Sequence, residues 1–269
     1  MHRLKRTAER VLPCVLPYRL SATLLTIGDR YSQYRRFKRS HVPAATRIIE
    51  AELGLKVRNG PFQGMHYPRR SAYSRHAIPK LLGSYEQELH PAINRILADK
   101  TFRRYLDIGS AEGYYSAGFA FKTRSPVYAF EIDPFERRHT RLMARVNGVQ
   151  DLLQLEGWCS PERIRRLCQD RSFILADCEG FEMELFTPYL AASLFHSDLI
   201  IELHLAKRAV ISRFLASFSA THHIELMTSL PRFASDCPDL IRLGLADDQL
   251  VNEFRQPGQQ WAVITAKHA

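Results

Sequence analysis

Apolar runs bounded by polar or glycine-rich turns alternate with stretches of helical spacing from residue 105 to residue 204. This alternation predicts an α/β fold. Residues 105–108 (Tyr-Leu-Asp-Ile) read as a buried strand that turns through Gly109 and Gly113 and continues as a helix from about Tyr114. Residues 126–133 form a second apolar run ending in Glu131 and Asp133, followed by a helix over about residues 135–146. Residues 152–157 give a short third strand. The runs 172–177 and 198–204 are apolar almost throughout, as expected of central parallel strands covered on both faces. Upstream, residues 44–55 show helical spacing that ends at a glycine, and residues 56–67 a short strand pair around Asn59-Gly60 and Gly64. Residues 81–97 end in an amphipathic run with Ile93, Ile96 and Leu97 on one helix face. This helix directly precedes the glycine-turn strand, which puts Tyr85 and Glu86 beside the cleft, either lining it or in a capping or packing role.

A strand, a glycine turn and a helix place free backbone N–H groups beside a ligand at the carboxyl end of a sheet. The spacing here is Gly109-x-x-x-Gly113 with Asp107 two residues before the first glycine. It lacks the close glycine of a dinucleotide site, G-x-G-x-x-G. An acid inside the turn repels a phosphate and suits a positively charged ligand. S-adenosylmethionine, with an ammonium and a sulfonium and no phosphate, meets that description. The plain alternative is an ordinary strand-to-helix turn.

Composition changes the picture at the N-terminus. Residues 1–80 hold 17 Lys+Arg against 4 Asp+Glu, whereas the remainder holds 21 against 24. The high pI therefore belongs to the first third of the 269 residues. Residues 31–40 interleave Arg35, Arg36, Lys38 and Arg39 with Tyr31, Tyr34 and Phe37, a composition that suits RNA, an anionic membrane surface or a solvated helix face. The apolar runs 11–18 and 20–28 are too short and too interrupted to span a bilayer. Arg3, Lys5 and Arg6 ahead of them also fit a signal or targeting segment, but a basic, partly helical extension is the preferred reading. The five cysteines form no C-x-x-C pair, which points to reduced thiols in a cytoplasmic protein and against a zinc site.

The strand tips carry the candidate chemistry. Glu131, 18 residues after Gly113, is placed to bond both hydroxyls of an adenosine ribose, while Asp133, directly before Pro134, fits a helix cap. Trp158 follows the third strand, where an adenine ring stacks or where the indole simply packs. Asp177 and Glu179 follow the fourth strand, and Glu202 and His204 end the fifth. Three carboxylates and a histidine presented to one crevice are hard to explain by stability alone.

In order, D-I-G-x-x-x-G, A-F-E-x-D-P, the D-x-E-G-x-E of residues 177–182 and I-x-L-H resemble the FkbM-type S-adenosylmethionine-dependent methyltransferases, over about residues 104–204. Residues 261–267 resemble the antiparallel last strand of that fold. The resemblance implies a Rossmann-like, mostly parallel seven-stranded sheet with helices on both faces and an antiparallel last strand. It implies methyl transfer from S-adenosyl-L-methionine, usually to a hydroxyl of a sugar or secondary metabolite. By the same resemblance Asp107, Gly109 and Gly113 surround the methionine part, Glu131 holds the ribose, and Asp177 lies near the transferred methyl; Ser110 in the turn is a further candidate for the cofactor. Where the family commonly has an asparagine in its glycine turn, this chain has Ser110, Ala111 and Glu112.

These readings lead to a methyltransferase domain over residues 81–269 preceded by a basic extension, residues 1–80. His204 is the first choice of general base, with Asp177 and Glu179 next. A carboxylate cluster of this kind also suits a divalent metal, although the spacing singles out no ligand set. The long insertion over residues 232–259 is expected to act as a lid on the acceptor pocket. The expected acceptor is a small molecule, a glycan or a glycolipid, with peripheral contact at an anionic membrane through the basic arm. An RNA methyltransferase and an inactive fold relative acting as a binding module are the alternatives.

Overall fold

The computed structural model describes residues 40–74, 76–204, 208–253, 255 and 258–267. The basic segment 1–39 lies outside the described residues. Seven strands form one sheet in the order β3-β2-β1-β4-β5-β7-β6. They are β1 Arg104–Ile108, β2 Val127–Phe130, β3 Leu153–Glu156, β4 Ser172–Ala176, β5 Asp198–Leu203, β6 His222–Thr228 and β7 Gln260–Ala266. Neighbours from β3 to β5 pair in parallel, and β7 runs antiparallel between β5 and β6. This is the α/β architecture expected from the alternation of runs, and β7 is the reversed last strand that the family resemblance implied.

The apolar runs explain which strands are central. Every residue of β4 and β5 is buried, and β1 is buried after Arg104. Helices cover both faces, and each face has its own core. One core gathers Tyr105, Phe119, Phe173 and Val263. The other holds Ile108, Ile174, Ile201 and Ile264. Helix starts follow local chemistry. Asp133 Oδ1 accepts the N–H of Phe135 at 2.8 Å ahead of Pro134, and Ser160 and Thr187 cap the helices that begin at Pro161 and Pro188. Each pairs an N-cap oxygen with a proline that has no N–H to satisfy.

Residues upstream of 81 join the first core. The helix Val42–Leu53 contributes Val42, Ala45 and Ile49, and Phe62 packs edge-on against Tyr114 and Phe119 with centroids 5.3 and 5.4 Å apart. The strand pair expected over residues 56–67 is a single antiparallel bridge, Lys56 to His66. The boundary placed at residue 80 falls inside the helix Ala77–Leu82. The insertion over 232–259 is anchored in the same core by Leu240, Leu250 and Val251. Among the described residues no helix is long and apolar enough to cross a membrane.

Candidate functional site

Parallel strands release their polar ends on one edge of the sheet, and a cleft opens there between β1 and β4. Asp107, Gly109, Ser110, Tyr114, Asp177 and Trp261 line it, with Tyr85 and Glu86 from the segment ahead of the helix His90–Ala98.

The glycine turn is closed on itself. The N–H groups of Gly109 and Ser110 donate to Phe130 O, that of Gly113 to Ser110 O, and that of Ala111 to Glu131 Oε2 at 2.9 Å. The expectation of free turn amides therefore fails at these four positions, because β2, Glu131 and the turn's own Ser110 carbonyl have taken them. Gly109 has φ +85°, and a Cβ there would stand 1.7 Å from the carbonyl oxygen of Asp177. Its lack of a side chain lets β1 and β4 close together, a stronger constraint than ligand approach. Gly113, at φ +87°, lies against Thr140, whose hydroxyl bonds Ala111 O at 2.8 Å.

Glu112 does not face a ligand either. Its carboxylate accepts hydrogen bonds from the buried ammonium of Lys80 and from Tyr67 at 2.8 Å. Burial alone would raise its pKa, yet the Lys80 charge holds it below the usual carboxylate range. The acid expected to meet a cation is thus neutralised within the protein. Sequence reasoning missed Lys80, although a lysine inside the apolar helix AIPKLL was a signal that a buried acid awaited it.

Besides Glu86, which is paired with Arg255, the acids that face the cleft are Asp107 and Asp177. Asp107 is buried and accepts from Ser116, and burial pushes its pKa up to about 7. Burial likewise raises Asp177. Ser110 Oγ is buried beside them without a hydrogen-bond partner, as is Asp177 Oδ1. Unpartnered buried polar atoms are costly and point to a ligand. Glu131 accepts from Ala111 N and, at 2.7 Å, from Asp133 N, which fixes its carboxylate while leaving lone pairs on both oxygens. Trp158 is 59 % exposed and packs against Phe181 with ring centroids 5.1 Å apart, outside the residues that line the cleft.

At the tips of β4 and β5, His204 Nε2 lies 3.6 Å from Asp177 Oδ1 and 3.7 Å from Glu179 Oε2. Its other nitrogen, Nδ1, lies 3.0 Å from Glu182 Oε1. Glu182 is buried and also accepts the N–H groups of Cys178 and Gly180, so it shapes the loop and orients the imidazole together. Burial would lower the His204 pKa, but Glu182 beside Nδ1 and the surrounding carboxylates raise it. Glu182 lay within the quoted motif without a role assigned to it.

Behind the cleft, Arg255 pairs with Glu86, with Glu202 at 2.6 Å and with Glu253 at 3.2 Å, and stacks 4.6 Å from the Trp261 ring. Arg232 bridges Glu88 and Glu253. Burial and the charge of Asp177 push Glu202 up to about 10 despite Arg255. The network ties the 232–259 insertion to the cleft wall, and no residue spacing announced it.

No protein-family model matches the sequence, and no curated protein matches it. Solved structures do. The chain is similar to the "delta-N METTL16 MTase domain" (TM-score 0.48, 10% identity, 85% of this chain and 96% of that one). It is also similar to the O-methyltransferase TomG from Streptomyces achromogenes, in complex with SAM (0.44, 13%, 68% and 81%). An rRNA methylase from Streptococcus thermophilus gives 0.44, 12%, 66% and 96%. TM-scores below 0.5 at such identities carry no weight for function, so the fold rests on the strand order and the chemistry on the site. The resemblance to FkbM-type enzymes rests on the quoted motifs.

Proposed function

We propose that the protein is a class I methyltransferase that uses S-adenosyl-L-methionine to methylate a hydroxyl group. One observation carries this reading: the cleft at the β1 and β4 tips is lined by Asp107, Asp177 and Glu86, while Lys80 in its wall and Arg255 behind it are already paired with carboxylates. Such a cleft rejects phosphate and favours a ligand with positive charge. When bound, the cofactor supplies an activated methyl on a sulfonium. Asp107 and Ser110 hold its methionine part, and Glu131, locked by two backbone N–H groups, receives the ribose hydroxyls. The β4 and β5 tips position the acceptor, and His204, oriented by Glu182, takes its proton, with Asp177 and Glu179 as the other candidates. The FkbM resemblance favours a sugar, glycolipid or secondary metabolite as acceptor. The basic arm would bring the protein to anionic membranes, which co-sedimentation with acidic liposomes tests.

A second reading has its own support. Phe135, Arg138, Arg141 and Arg145 are all exposed along one side of the helix Pro134–Val146, a surface that suits RNA. Calorimetric titration with S-adenosylmethionine tests the common part of both readings. Tritium-methyl transfer to fractionated RNA and to extracted small molecules then separates them. Absence of cofactor binding would instead leave the chain as a binding module.

A further inference from the structure

We infer that the flank of the sheet at its β3 edge is a binding surface for single-stranded RNA. β3 ends the sheet; the helix Pro134–Val146 leads into it and the helix Pro161–Leu167 follows it. The two helices together hold seven arginines, no lysine and two glutamates, whereas the rest of residues 81–269 holds 14 Lys+Arg against 22 Asp+Glu. Positive charge is thus concentrated on one edge of an otherwise acidic region. Two of the seven are committed to the fold. Arg137 donates to Glu131 O and Ile132 O, and Arg163 pairs with Glu156. The other five, Arg138, Arg141, Arg145, Arg165 and Arg166, are exposed and make no hydrogen bond or salt bridge among the described residues.

Free arginines alone would be a solvated helix face. The strand-end side of the same flank adds exposed apolar side chains: Ile132 and Phe135 at the start of the first helix, Trp158 ahead of the second, and Phe181 against Trp158 with ring centroids 5.1 Å apart. The first helix and the Trp158 loop adjoin, since a Cβ at Gly157 would lie 3.7 Å from Arg137 Nη1. An indole kept on the surface beside a phenyl ring, outside the residues that line the cleft, is a platform on which an unpaired base stacks.

The arrangement selects among polyanions. Arginine meets phosphate through a planar fork and stacks on bases, which lysine does not. At 1.5 Å per residue, Arg138 and Arg145 lie about 10 Å apart along their helix, so the row follows a chain and not a single anion. Met143 and Ala144 of one helix belong to the first core, and Ile164 and Leu167 of the other to the second, so the arginines wrap around an edge. A flexible strand can follow that curve; a flat bilayer cannot meet both rows. A duplex hides the base faces that the rings would stack on. The inference rests on the second reading of the function and adds to it the surface and the form of the RNA. Transfer to a hydroxyl also favours RNA, whose riboses carry 2′-hydroxyls, over DNA.

The test uses the full-length protein, in which residues 1–39 stay constant, and a labelled single-stranded RNA of about 12 nucleotides. The triple variant Arg138→Ala, Arg141→Ala, Arg145→Ala should weaken binding roughly tenfold or more in anisotropy and lower the log–log salt slope by about 2, for three phosphate contacts. RNA should also quench tryptophan emission. Of the two tryptophans Trp261 is buried, so the quenching belongs to Trp158 and should vanish in Trp158→Phe. Unchanged affinity in the triple variant, binding without quenching, or affinity for inorganic polyphosphate or DNA as high as for RNA overturns the inference. So does a triple variant that keeps RNA and loses acidic liposomes, which would make the partner a membrane. A parallel S-adenosylmethionine titration keeps the two ideas apart. Normal cofactor binding without RNA binding removes only this surface, and RNA binding without cofactor binding removes only the enzyme.

Discussion

Two neighbouring parts of the strand-end surface are built on opposite terms. In the glycine turn after β1, the four amides traced above have partners, and Glu112 is neutralised by Lys80. At the β4 and β5 tips, Asp177 Oδ1 lacks a hydrogen-bond partner, Glu179 is exposed on a strained backbone and His204 faces carboxylates across gaps longer than hydrogen bonds. A turn whose amides are bonded holds its shape without a ligand, and only the Ser110 hydroxyl is left without a partner there. A tip with bonds missing is where a ligand gains most, because it supplies partners the protein lacks. The most motif-like stretch is thus a self-bonded cradle, while the less regular tips hold the exposed Glu179 and the unpartnered Asp177 Oδ1.

Breaking the cradle should have the largest effect. Gly109→Val places a side chain on the Asp177 carbonyl and forces a left-handed backbone that alone costs about 1–2 kcal/mol. Thermal stability and cofactor binding should fall together. A wild-type melting curve with binding alone lost would show that ligand approach, not strand closure, selects this glycine.

Next comes Lys80→Met, which strands the buried Glu112 carboxylate and should cost about 3–5 kcal/mol in denaturant unfolding. Adding Glu112→Gln should recover much of that loss. No recovery would mean that the pair does not stabilise the cradle as a unit.

The tips should respond differently. His204→Ala should leave stability and cofactor affinity near wild type while lowering turnover roughly 100-fold through loss of the base. A stability loss as large as that of Lys80→Met would erase the contrast between the two regions. Glu131→Ala sits between them. It should weaken cofactor binding by about 1.5–3 kcal/mol in calorimetry, the scale of hydrogen bonds to a charged group. Unchanged affinity would confine Glu131 to bracing Ala111 and Asp133.

The contrast also marks what the sequence could convey. Local patterns were legible: the apolar runs of β4 and β5 and the Asp133-Pro134 helix start follow from spacing, whereas the reversed strand near residue 261 came from the family resemblance. Partners far apart in the chain were not. Lys80 meets Glu112 across 32 residues and Arg255 meets Glu86 across 169. Ion pairs of that kind leave no period, because packing of the whole chain decides which charges meet. The same applies to the turn amides. Two glycines signal a turn, but only the position of Phe130 and Glu131 determines whether its N–H groups are free.

The smallest expected effect sharpens the assignment of Asp107. Burial pushes this carboxyl up to about 7, so near neutral pH it is about half ionised in the free protein. An ammonium placed against it favours the charged form, and binding then releases a proton. Cofactor affinity should therefore rise several-fold from pH 6 to pH 7.5, as ionisation of the free protein ceases to be part of the cost. The stability of the free protein should run the other way. The folded state keeps a proton that the unfolded chain releases from about pH 4, so the Asp107 contribution declines as pH rises towards 7. Asp107→Asn should flatten both trends while still accepting from Ser116. A calorimetric pH series on both proteins checks this. Affinity that rises equally in Asp107→Asn would assign the titrating group elsewhere in the cleft.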